Sequence, residues 1–457
     1  MDATVKTNKI QWLITLVIPL IIMLLPINET FTAEIRFFIA ITLLAIFIMA
    51  FELVNMMVVS VILPIIYAYT IVDMPTAFSG WMTTTPLMVV GTFILANVME
   101  ETGLAKRIAY WCILHCGGTY RGTLYGIIVA GIIIGYATGS TAAALMAAFC
   151  YVICKAFDLK PGKEAMLIMM SGILSASTIQ MFVYKPLFLG PMIAQAQTVV
   201  PGFAFAPLEI LKDNFIFVPM LFLIVFCLDK ILKPQVSVDG KAFFQKEYNA
   251  LGSMSVNEKK TSAVMIVLVA FMLVAPFIHL PLDLGFIVLP WLLYFPGINV
   301  GSENAVRNIN YEMVFFIIAC FSIGAVAGKL GFAAIIADTL TTLLAGQSSV
   351  VVMFISYIVG FVANFLMTPL AIVTVFTEPL LTIATNMGIS IKPVLYAMYL
   401  ACDQVILPYE YPGYLLFYAF GMASMKEFVK VCSIKFVLCT VFLFILAVPW
   451  WILVGIM

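Results

Sequence analysis

Two charged residues stand in otherwise apolar stretches, each beside a proline, and they are the first candidates for chemistry. Lys185 lies in "VYKPLFLGP" and Glu410 in "LPYEYPG". An ionisable side chain deep in a membrane span costs about 2.5–3.5 kcal/mol on insertion scales, so it faces a cavity or a partner rather than lipid. A lysine ammonium can hold a carboxylate or another small anion, and a glutamate can take a proton or a cation. A common shift of about 225 residues lays Lys185 on Glu410, Tyr184 on Tyr409 and Thr178 on Asp403. Lys185 and Glu410 are therefore expected to approach each other across a pseudo-two-fold axis. Asp403, about one turn before the second proline cluster, is a further cation or proton candidate, and Ser177, Thr178 and Gln180 are uncharged donors beside the first.

The elements that must position these residues are broken helices. Proline lacks a backbone donor and disfavours helix in the residue before it. Pro186 and Pro191 should thus unwind the span 166–199, and Pro408 and Pro412 with Gly413 the span 393–423. In such breaks half-helix N-termini offer N–H groups to anions and unwound carbonyls offer oxygens to cations. Each break is preceded by a candidate hairpin. Residues 121–155 are basic at both ends and should turn back at "ATGST", where Gly139, Ser140 and Thr141 can satisfy backbone groups that leave helical bonding. Residues 347–388 hold no Lys or Arg and should enter and leave from the other side, turning near Val362 to Pro369, "VANFLMTP", which holds Asn364 and Thr368. One hairpin from each side marks an inverted repeat.

Composition sets the class. Of 457 residues, 64% are apolar or aromatic and 10% charged, far from the balance of a soluble domain. The expected fold is an all-α polytopic membrane protein of about eleven spans, beginning with Gln11 to Pro26. Lys+Arg and Asp+Glu each number 23, so no field exists to gather nucleic acid. The hydrophilic stretch near 233–262 reads as a cytoplasmic linker between an N-terminal half, 1–232, and a C-terminal half, 263–457. Lys426, Lys430 and Lys435 read as another cationic loop, and the positive-inside bias places the N-terminus in the cytoplasm. Neither the isolated His115 and His279 nor the nine cysteines, none in a CxxC pair, suggest a metal centre, and no cofactor is expected. The lack of HExxH, GxSxG or a phosphate-binding loop argues against an enzyme or a nucleotide-driven pump.

These stretches, in order along nearly the whole chain, resemble the divalent anion/sodium symporter family. "TFILANVMEETGLAKRIA" is similar to its helix before the first hairpin, and "YATGSTAAALM" and "FVANFLMTPLAIV" sit where members carry Ser-Asn-Thr hairpin tips. "LPYEYPGYLLFYAFGMASMKEF" sits at a Thr-Pro-Pro-Asn type break. The resemblance implies an elevator-type secondary transporter, a homodimer in the cell inner membrane, that binds di- or tricarboxylates with sodium as a coupling ion. Substrate contacts then fall to Gly139, Ser140, Thr141, Asn364 and Thr368 at the tips and to Lys185 and Pro412 at the breaks. Ion coupling falls to Ser140, Asn364, Glu410 and Asp403. The first tip keeps hydroxyls without the Asn, the second keeps Asn364 without adjacent hydroxyls, and Tyr411-Pro412-Gly413-Tyr414 replaces the family's break motif. Proton coupling and exchange thus stay open beside sodium, as does a cation/proton antiporter built on Glu410 and Asp403.

Overall fold

The computed structural model describes residues 9–29, 31–51, 53–138, 143–236, 240–278, 280–281, 283–331, 346–365 and 368–457. Every regular element among them is helical. The stretch read as the first hairpin holds α1 (Tyr120–Thr138) and α2 (Ala143–Ala156). The first broken span follows as α3 (Lys163–Ala176), a 3-10 turn at Thr178–Met181, and α4 (Pro186–Val199). The stretch read as the second hairpin holds α5 (Ser349–Ala363) and α6 (Pro369–Asn386). The second broken span runs through α7 (Ile391–Ala401), a 3-10 turn at Pro408–Glu410 and α8 (Pro412–Ala419), and α9 (Met425–Phe442) comes next.

Proline acts here mainly as a helix starter. Pro186 and Pro412 each occupy the first position of the resumed helix, where the missing N–H would have no partner in any case. Pro191, expected to unwind its span, instead lies inside α4. The unwinding falls upstream of it, between Ala176 and Pro186, where Pro186 disfavours helix in the residue before it and starts the resumed helix.

Five helices among the described residues are long and apolar enough to cross a membrane, or seven if each of two bent pairs is one span. One bent pair is Thr85–Thr102 with Leu104–His115, at 71° across Gly103. Several remaining apolar helices are short. The 15 residues of α5 reach about 22 Å, less than the hydrocarbon core of about 30 Å.

The chain divides into two compact units. One holds Met1–Pro86, Pro191–Phe203 and Asn310–Met398. In it the helix Tyr311–Lys329 packs against the helix Met56–Thr70 and against α6. Polar side chains stitch these apolar helices together, with Ser322 donating to the Ala77 carbonyl at 2.6 Å and the Thr42 and Tyr67 hydroxyls meeting at 2.6 Å.

The other unit holds Leu87–Gly190, Ala204–Ile309 and Tyr399–Met457. Its centre is α3, buried from Ala165 to Ala176 with no polar face, as expected of a helix surrounded by others. The hairpin helices α1 and α2 and the later α8 and α9 all pack on it. Glycine permits this closeness. A Cβ on Gly131 would stand 2.3 Å from the Cβ of Ser175 and 2.6 Å from its carbonyl, and one on Gly172 would meet Cys150 and Phe417 at 2.5 Å. The stretch read as a linker between the halves packs within this unit. It forms the helix Lys241–Ala250, whose Phe244 is buried against Tyr110 and Phe157. Arg107 holds the following turn through the carbonyls of Leu251 and Gly252 and through Glu258 at 2.7 Å.

Because the atom opposite Gly131 is backbone and cannot rotate away, Gly131→Val should destabilise the protein by about 1–3 kcal/mol. A lowered thermal midpoint in detergent would register this, and an unchanged midpoint would mean that α1 does not lie on α3 as described.

Candidate functional site

At the second break the backbone leaves helical bonding after Ala401, and a glutamate replaces part of what is lost. The carboxylate of Glu410 accepts from the N–H of Leu407 at 2.8 Å and of Ile406 at 3.2 Å. It is buried, and its described role is to cap the loop that precedes it. The expected approach of Lys185 and Glu410 is not made in this structure. Lys185 donates instead to the Tyr411 hydroxyl at 3.0 Å.

The described ion pair at the break is a different one. Asp403 and Lys435 are both fully buried, with Lys435 Nζ 2.6 Å from Asp403 Oδ2. The ammonium also donates to the Asp403 carbonyl at 2.5 Å and to the Tyr414 hydroxyl at 2.6 Å. Tyr414 returns its proton to Asp403, and Thr178 from the first break donates to Asp403 Oδ2. An ammonium has three donors, and here all three have oxygen acceptors.

Lys435 was expected in a cytoplasmic loop with Lys426 and Lys430; it lies inside α9, pointing inward. The signal that separates it from the other two is periodicity. Phe428, Val431, Cys432, Lys435, Cys439 and Phe442 follow helical spacing on the buried face, and Lys426 and Lys430 fall off it.

Lys185 has a different environment. It is 2% exposed and projects over the Phe188 ring, 4.7 Å from its centroid, with the Tyr411 ring at 5.8 Å. Aromatic faces attract a cation but do not neutralise it. Its one described hydrogen bond goes to a neutral hydroxyl, and no carboxylate pairs with it among the described ion pairs. Phe188 also touches Tyr399, and Gln180 Nε2 donates to the Tyr399 carbonyl at 3.4 Å. The Tyr399 hydroxyl and Gln180 Oε1 are buried with no hydrogen-bond partner among the described residues. Buried polar groups are rarely left so, and those that are call for a ligand, a water or another state.

Of the hairpin-tip residues, Gly139, Ser140 and Thr141 lie outside the described residues. Asn364 closes α5 and is 1% exposed. Thr368 precedes α6, and its buried hydroxyl has no partner among the described residues. Pro412 serves as the start of α8. No cluster of metal-ligating side chains occurs among the described residues.

A chain whose described regular elements are all helical, with five to seven helices long and apolar enough to cross a membrane and with helices interrupted near the buried Lys185 and Asp403, has the build of a secondary transporter. It belongs to the family of the sodium:sulfate symporter transmembrane region, whose model matches residues 6–457. The protein is therefore a membrane transport protein for anions and not an enzyme. No curated protein matches the chain significantly. Among solved structures it is similar to one reported as "Structure and Function of Neisseria gonorrhoeae MtrF Illuminates a Class of Antimetabolite Efflux Pumps". That match has a TM-score of 0.52 at 16% identity and covers 85% of this chain and 83% of the other. At this identity the likeness concerns fold alone.

Removing one member of a buried ion pair strands the other charge, at a cost of about 3–5 kcal/mol. Lys435→Met should lose that much stability, and adding Asp403→Asn should restore most of it. Denaturation of both single variants and the double variant in detergent measures the coupling; strict additivity would refute the pairing.

Proposed function

We propose that the protein moves a small multivalent anion of the di- or tricarboxylate class by alternating access, with Lys185 as the positive charge that receives it. The observation that carries this reading is the contrast between two buried lysines. Lys435 has a carboxylate and three acceptors, whereas Lys185 has one neutral acceptor and two aromatic faces. An incoming carboxylate would supply the acceptors and the opposite charge that Lys185 lacks, and charge-assisted bonds of this kind are the strong ones. The Tyr399 ring touches Phe188, and its hydroxyl, without a partner among the described residues, is assigned as a second donor to the same ligand. Glu410 and Asp403, the residues an antiporter of cations and protons would need, are engaged by backbone N–H groups and by Lys435.

The proposal extends to organisation. Equivalent positions of two repeats related by a two-fold touch each other only near the axis. Thr178 and Asp403 coincide under the 225-residue shift and are hydrogen-bonded to each other, which supports inverted repeats centred on the two breaks. About eleven crossings, re-entrant hairpins with Gly139, Ser140, Thr141, Asn364 and Thr368 as tip ligands, an elevator-type cycle, a homodimer and an N-terminus in the cytoplasm complete the reading. Coupling is assigned to a cation gradient or to counter-substrate.

Uptake of radiolabelled succinate and sulfate into proteoliposomes, with sodium, proton or unlabelled substrate gradients imposed, tests the function. Lys185→Gln should reduce uptake at least tenfold while leaving the thermal midpoint near that of the unchanged protein. Wild-type uptake by that variant would sink the role given to Lys185.

A further inference from the structure

We infer that the ε-ammonium of Lys435 is a tethered cation seated on the oxygens that the second break would otherwise offer to sodium, so that this half-site takes no dissolved cation. Membership of a sodium:sulfate symporter family raises the question whether the break fits a sodium ion. An unwound helix end serves a cation by exposing carbonyl oxygens, usually joined by a carboxylate or hydroxyl. Such a set exists here. The Asp403 carbonyl, Asp403 Oδ2 and the Tyr414 hydroxyl converge on one point, and that point is occupied by Lys435 Nζ at 2.5, 2.6 and 2.6 Å.

Three features make the occupancy lasting. The donor count of the ammonium matches the acceptors present, so none is left over for a substrate. The side chain issues from the middle of α9 and is fully buried, with no water to which it could retreat. The charges already cancel: one carboxylate faces one ammonium, and a sodium ion would add a second positive charge without a second carboxylate. The residues therefore do not fit sodium in this state. Substrate binding near the second break needs no sodium ion to organise it, and neither uptake nor release of sodium at Asp403 contributes to the cycle. Any cation that drives transport must act elsewhere, or the driving force is counter-substrate.

This rests on the transporter reading for its meaning but not for its test, which uses no substrate. The full chain, purified in detergent, is unfolded thermally in sodium chloride and in choline chloride at equal ionic strength. The unchanged protein is compared with Lys435→Ala and with the double variant Asp403→Asn/Lys435→Met. Lys435→Ala, which empties the cage and keeps its oxygens, should gain a saturable sodium-specific rise in thermal midpoint. The double variant, which removes both charges, should respond to sodium as the unchanged protein does. Two results overturn the inference: a sodium-specific rise in the unchanged protein that the double variant loses, or a folded Lys435→Ala whose sodium response is the same as that of the unchanged protein. Should Lys435→Ala not fold in either salt, the other comparison decides alone, equal responses supporting the inference and a loss refuting it. Absent anion uptake in proteoliposomes would count against the transport reading and leave this result standing.

Discussion

A carboxylate sealed from water must be neutralised where it stands, and Lys435 does this for Asp403. The pair gathers four segments at one point: the end of α7 through Asp403, α8 through Tyr414, α9 through Lys435 and the first break through Thr178. Replacing such pairs by apolar residues of equal volume often costs little, so net stability is not their main consequence. What the pair imposes is position, since either charge left alone in the interior is far more costly than both together. The unwound backbone between α7 and α8 is held by this arrangement and by the Glu410 cap, in a setting with no solvent to satisfy it.

The two buried lysines divide the work of the site. One is saturated with acceptors and electrically closed, and so belongs to the scaffold of the break. The other sits over the rings of Phe188 and Tyr411 with donors to spare. Aromatic faces are a moderate means of holding a buried cation.

Close helix packing is the other condition of this architecture. Lipid provides no hydrophobic drive between helices, so small residues that let backbones approach do more of the work than in a soluble core. Gly131 and Gly172 bring α1, α2 and α8 onto α3, and the first break is thereby fixed at the end of a wholly buried helix. Helix Lys241–Ala250 shows the same principle outside the apolar spans. Its Phe244 finds an aromatic nest that no count of charges in the stretch would suggest.

Hydropathy and proline placement determined much of this protein from sequence alone. Apolar runs set the membrane class, and Pro186 and Pro412 marked where broken helices resume, both through local rules of backbone bonding and transfer from water. The shift that laid Thr178 on Asp403 identified two positions that do meet. Partner choice was not legible in the same way. Lys185 was matched with Glu410 by position, yet Glu410 turns to its own loop and Lys185 to Tyr411, because a hydrogen bond depends on side-chain direction to within an ångström and a repeat period does not. Lys435 was grouped with Lys426 and Lys430 by proximity along the chain, and only the rotation of α9 against its neighbours decided that one of the three faces Asp403. Local sequence determines where a helix stops, and the packing of distant segments determines what its end will touch.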